Sequence, residues 1–68
     1  MDLQARLLDA HARDDRSALV TLYTEAADQA GDINAACFFL THAYIFGLEM
    51  NHPDVPALFA RLKEHGRV

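Results

Sequence analysis

The sequence holds a single cysteine, three glycines and two prolines among 68 residues. One cysteine excludes an intramolecular disulfide framework and a zinc cage built from cysteines. No Pro/Gly/Ser-rich linker, low-complexity tract or long charge run interrupts the chain. Positive charge is scarce: six Lys and Arg against ten Asp and Glu leave a formal net charge of −4, the wrong sign for non-specific binding to nucleic acid. Strand-like alternation of apolar and polar residues is also missing. The opening Met1-Asp2-Leu3-Gln4-Ala5-Arg6 has neither the basic start nor the unbroken apolar run of a secretory signal, so a cytoplasmic chain with Cys37 reduced is expected. The most apolar stretch, Ile33 to Met50, approaches the length of a membrane span. Asn34, Thr41, His42 and Glu49 interrupt it, and no membrane association is expected.

What is present is an ordinary globular composition, 51% hydrophobic and 24% charged. A folded chain of 7.6 kDa has a surface of roughly 4,300 Å², against about 11,000 Å² unfolded. Only about 60% of the surface is then buried, which is marginal for a chain standing alone. One domain over residues 1–68 is expected.

Four segments show helical periodicity. The first runs from about Leu3 to Ala12, with Asp2 as its N-cap; Leu3, Leu7 and Ala10 share one side and Leu8 points elsewhere. Arg13-Asp14-Asp15 reads as a short break with Asp14 or Asp15 capping the next helix, a continuous helix being the alternative. The second segment runs from about Arg16 to Ala30, with Leu19, Val20, Leu22, Tyr23, Ala26, Ala27 and Ala30 inside an arc of roughly 160°. Gly31 suits a left-handed helix end and Asp32 the next N-cap, which implies an antiparallel hairpin. In that hairpin Leu19, Leu22, Tyr23 and Ala26 are expected to pack against Ala36, Phe39, Leu40 and Ala43. The third segment, Ile33 to about Asn51, is apolar around most of its circumference, as a helix buried between others is. Asn51-His52-Pro53 ends it. Asp54 is expected to cap a fourth helix with Pro56 in its first turn and a seam of Val55, Leu58, Phe59 and Leu62, terminated at Gly66. The fold class expected is all-α: a small bundle of three or four antiparallel helices around the central helix–turn–helix hairpin.

The turn Gly31-Asp32-Ile33 followed by Ala36, Leu40 and Ala43 resembles the tetratricopeptide repeat. The resemblance covers about residues 20–43. It implies a helical hairpin in which Ala36 and Ala43 let the helices approach while Leu40 fills the groove. The sequence departs from the repeat at Val20, Thr24 and Ala27, where that family prefers Trp, Gly and Tyr, and its closing proline arrives at Pro53 rather than at position 48. Three repeats normally make a stable solenoid, and the two halves of this chain do not match each other.

Little in the chain carries chemistry. His11, His42, His52 and His65 sit on separate segments with no pair three or four residues apart, so no metal site on one helix is expected, although a tertiary cluster stays open. Cys37 lies among Ala35, Ala36, Phe38 and Phe39 and reads as a buried small hydrophobe rather than a nucleophile. Glu25 and Asp28 read as part of a solvated face. Gly31, Gly47 and Gly66 are isolated and form no phosphate loop. Gly47, inside an otherwise strong helix, points to a close helix approach. The basic end, Arg61, Lys63, His65 and Arg67, suits the negative end of a helix dipole.

No enzyme activity, metal or cofactor is therefore expected. Phe38 and Ile45 lie seven residues apart along one line of the third segment, bordered by Asn34, Thr41, His42 and Glu49. A dry line with a polar rim is how a protein contact is commonly built, which makes Phe38, Ile45, Thr41, His42 and Glu49 the candidate interface. The function expected is a non-catalytic protein–protein interaction module that associates with itself, as a homodimer in which the same patch meets itself. A small regulatory or structural subunit bound obligately to another protein is the alternative.

Overall fold

A computed structural model describes residues 2–68. Its described residues form four helices and no strand: α1 (Leu3–Ala12), α2 (Arg16–Gln29), α3 (Ile33–Met50) and α4 (Val55–Glu64). This is the small all-α bundle expected. The exposed surface is 4,270 Å², close to the value the mass implies.

Each of the first three helices starts at an aspartate whose carboxylate takes a free backbone N–H of the first turn. Asp2 accepts from Ala5 at 2.8 Å, Asp15 from Ala18 at 3.1 Å and Asp32 from Ala35 at 2.8 Å. Asp54 holds the corresponding place before α4, yet its side chain makes no capping bond. Its backbone N–H instead donates to Nδ1 of the half-buried His52 at 3.0 Å. The junction is therefore held by the residue before Pro53 rather than by the expected carboxylate.

Three helices end in one way, through a residue with positive φ. Asp14 (φ 52°) follows α1, Asn51 (φ 55°) follows α3 and Gly66 (φ 71°) follows α4. The next N–H then reaches back five residues: Asp15 to Ala10 at 2.9 Å, His52 to Gly47 at 2.9 Å, and Arg67 to Leu62 at 2.9 Å. Gly31, expected to play this part, does not. The chain leaves α2 through an extended Ala30 (φ −64°, ψ 142°), so the reversal into α3 needs no left-handed residue.

Neighbours in sequence are neighbours in space: α2 packs on α1 and α3, and α3 packs on α4. The Cα trace measures 32 × 28 × 12 Å, a flattened shape. The larger core joins Val20 and Ala27 of α2, Cys37, Leu40 and Ala43 of α3, and Leu58 and Leu62 of α4. The smaller core joins Ala10 of α1 to Leu19 and Leu22, with Leu3 and Leu7 packed against it. So α2 is buried along two edges. Leu19 and Leu22, expected against α3, cluster with Ala10 of α1 and meet α3 only at Phe46 in that smaller core, while Val20 and Ala27 take the α3 side beside Tyr23. Leu8 points outward, as its position on the helix requires.

Gly47 sits where α4 begins. A Cβ at Gly47 would stand 2.8 Å from Cγ2 of Val55, so any side chain there must displace Val55. Asp28 and Glu25, read from sequence as simply solvated, are both ion-paired across helices. Arg61 of α4 reaches Asp28 at 2.7 Å and Arg6 of α1 reaches Glu25 at 3.1 Å. The Arg61–Asp28 contact and the shared core show side chains of α2 and α4 meeting behind α3.

Candidate functional site

Because α2 and α4 meet behind it, α3 is covered on one side only. Cys37, Leu40, Ala43 and Gly47 are buried, and these four lie along its inner face. The opposite face is open. The expected place of so apolar a helix, between others, holds for the inner face, on which α2 and α4 pack; no other helix among the described residues covers the open one. By length and composition α3 could also cross a membrane, with a mean hydropathy of 1.2 over 18 residues. In the fold α2 and α4 both pack on its inner face.

At about 100° per residue, Phe38, His42, Ile45 and Glu49 fall within roughly 60° of one another on that open face, flanked by Asn34 and Thr41. Phe38 is 60% exposed and Ile45 52%, high values for large apolar side chains midway along a helix. Neither α1 nor α4 covers them. Thr41 is exposed, and its hydroxyl donates to the Cys37 carbonyl at 2.8 Å. His42 Nδ1 lies 2.8 Å from the Phe38 carbonyl. A carbonyl only accepts, so Nδ1 carries the proton and donates. Nε2 is the other ring nitrogen, not used in that bond. The side chain of Glu49 lies 3.8 Å from Arg16 of α2, a loose ion pair. At the other end of the line, Arg67 donates to the side-chain oxygen of Asn34 at 2.6 Å.

The line continues sideways into an aromatic strip. The His42 ring stacks on Tyr23 with centroids 5.1 Å apart and tilts against Phe38 at 4.5 Å. Tyr23 also stacks on Phe46 and Phe39, and its hydroxyl is 2.9 Å from Nε2 of His11. These rings lock α1, α2 and α3 together and buttress Phe38 from the side, through Phe39 and His42. The strip is a tertiary feature, assembled from residues on three helices. The sequence signal for it was the spacing of Phe39, His42 and Phe46 on the flank of α3 that meets Tyr23.

Cys37 is a free thiol, 2% exposed, packed in the larger core. Among the described residues, no three His, Cys, Asp or Glu side chains stand close enough together to hold a metal ion. An open cleft of about 530 Å³ lies between α1 and α2, lined by Arg6, Asp9, Arg13, Asp15, Ser17 and Thr21 with two apolar neighbours. Its charges satisfy each other: Arg13 donates to Asp9 at 2.9 Å and to Asp15 at 3.2 Å. Those bonds, to Asp9 above all, hold the Arg13 guanidinium above its ordinary range. The basic tail is likewise engaged, through Arg61 on Asp28 and Arg67 on Asn34.

No protein-family model, characterised protein or solved structure matches this chain.

Proposed function

We propose that this chain is a non-catalytic protein–protein interaction module of the cytoplasm that associates with itself through the open face of α3. The observation that carries the reading is the more than half-exposed pair Phe38 and Ile45, on a rigid helix and bordered by Thr41, His42 and Glu49. Scattered exposed apolar residues are ordinary on a protein surface. Two in line on one helix, one of them packed against a His42 ring that is itself stacked on Tyr23, form a preorganised ridge. The marginal size of the chain supports the same reading, since association supplies the burial that a small core lacks.

The magnitude sets the kind of assembly. Burying the exposed parts of Phe38 and Ile45 contributes roughly 1–2 kcal/mol each, or about 4–8 kcal/mol over the four side chains of a pair. The freedom lost on association costs about 4–15 kcal/mol. The line alone therefore balances the low end of that cost, and flanking contacts decide the affinity. A concentration-dependent equilibrium between monomer and dimer is expected. Light scattering at a series of concentrations tests this. A mean mass rising from one chain towards two supports the reading, and a single-chain mass at every concentration refutes it.

A further inference from the structure

The open line of α3 is symmetric about its own centre. Phe38 and Ile45 lie at equal distances on either side of the midpoint between Thr41 and His42, and so do Asn34 and Glu49. At 1.5 Å per residue the first pair stands about 5 Å from that midpoint and the second about 11 Å. Two helices packed antiparallel bring together residues at equal and opposite distances from their crossing point. A second copy turned about a two-fold axis at the midpoint would set Phe38 on the partner's Ile45 and Ile45 on the partner's Phe38. The outer positions, Asn34 and Glu49, would meet in the same reciprocal way.

The ends of the line are also complementary in charge. At one end Arg67 is held against Asn34 by a single hydrogen bond of 2.6 Å, which leaves most of the five guanidinium donors unused. At the other end the Glu49 carboxylate stands 3.8 Å from Arg16, too far for a hydrogen bond, and keeps its capacity to accept. Antiparallel pairing brings Glu49 to the end where the partner's Arg67 lies, twice per dimer. Parallel pairing would instead set Glu49 against the partner's Glu49 and Arg67 against the partner's Arg67. At a crossing angle of about 20° the two helices are offset sideways by only about 4 Å at the ends of the line, within the reach of an arginine.

We infer that the partner of this face is a second copy of the chain, docked with α3 antiparallel to α3 on a two-fold axis between Thr41 and His42. Phe38 then meets the partner's Ile45, and Glu49 meets the partner's Arg67. The inference rests on the proposed self-association and adds its orientation and register.

Cysteine crosslinking of the full chain reads the register, with the native Cys37 buried and out of reach. Thr41→Cys, beside the axis, should form a disulfide dimer on mild oxidation. Asn34→Cys alone should not, because two copies of that position lie about 22 Å apart along the helix direction. The double variant Asn34→Cys with Glu49→Cys should crosslink. Glu49→Arg should weaken association about tenfold by facing the partner's Arg67 with a like charge, and adding Arg67→Glu should return it. A dimer in which Asn34→Cys crosslinks to itself, or in which Thr41→Cys does not, overturns the register and leaves self-association standing. A chain that stays monomeric in every measurement overturns both.

Discussion

Replacing Gly47 with alanine sets two effects of known sign against each other. Alanine in the middle of a helix is favoured over glycine by about 1 kcal/mol, and the backbone at Gly47 has no positive φ to oppose it. The new Cβ, however, would stand 2.8 Å from Val55 Cγ2, with His52 Cβ at 3.6 Å and Val20 Cγ2 at 3.9 Å. Ordinary carbon contacts lie near 3.5–4.0 Å. Val55 is β-branched and stiff, so it relieves the overlap poorly by rotation. The start of α4 must shift instead, lifting the buried Leu58 off the core. Overpacking of this kind costs about 1–3 kcal/mol, and the net effect of Gly47→Ala is a loss of about 0–2 kcal/mol. In a Val55→Ala background the obstructing methyl is gone, and the same change should stabilise by about 1 kcal/mol. For a chain this small, 1 kcal/mol moves the melting temperature by about 4–8 °C, so thermal melts at one fixed, low concentration resolve the reversal of sign. An equal effect of Gly47→Ala in both backgrounds would refute the close approach as the reason for glycine.

Leu40, 1% exposed at the centre of the larger core, should cost about 2–5 kcal/mol when cut to alanine, out of a total of about 3–10 kcal/mol for a chain of this length, and a circular dichroism melt within a degree or two of wild type would contradict its burial. Deleting residues 52–68 removes Leu58 and Leu62 and uncovers Leu40, so the shortened chain should unfold or aggregate; a soluble product with an unchanged melting temperature would show that α4 adds nothing. Asn51 closes α3 at φ 55°, a conformation that costs alanine about 1 kcal/mol and glycine nothing. Urea titration should therefore rank Asn51→Gly at or above wild type and Asn51→Ala below it.

Much of the secondary structure was legible because its signals are local. Asp2, Asp15 and Asp32 each stand just before an apolar periodic run, and each caps as its position requires. The outward turn of Leu8 and the burial of Cys37 follow from helical angles and from neighbours in the chain. What was not legible is tertiary. The arc of α2 spans roughly 160°, wide enough to serve two neighbours, and nothing local says that Leu19 and Leu22 meet α1 while Val20 and Ala27 meet α3. The pairs Arg6–Glu25 and Arg61–Asp28 join residues 19 and 33 apart in the chain, beyond any spacing rule. Gly31 shows the limit of residue preference, since glycine permits a left-handed turn without requiring one. For the candidate surface, the helical angles set Phe38, His42, Ile45 and Glu49 on one line. That the line is open depends on where α2 and α4 lie, which only the fold shows.

The proposed role of that line is tested most directly by giving it like charge. Phe38→Glu with Ile45→Glu places acids at both positions, so no pairing of two copies can match them with opposite charge. Both side chains are exposed, and the helical fold should survive the change. Light scattering beside circular dichroism, on wild type and variant at matched concentrations, is the measurement. The prediction is a wild type whose mass rises towards two chains and a variant that keeps its helix content at the mass of one. A variant that assembles as wild type does, or that loses its helix together with its assembly, would contradict the claim that this face of α3 is where two copies meet.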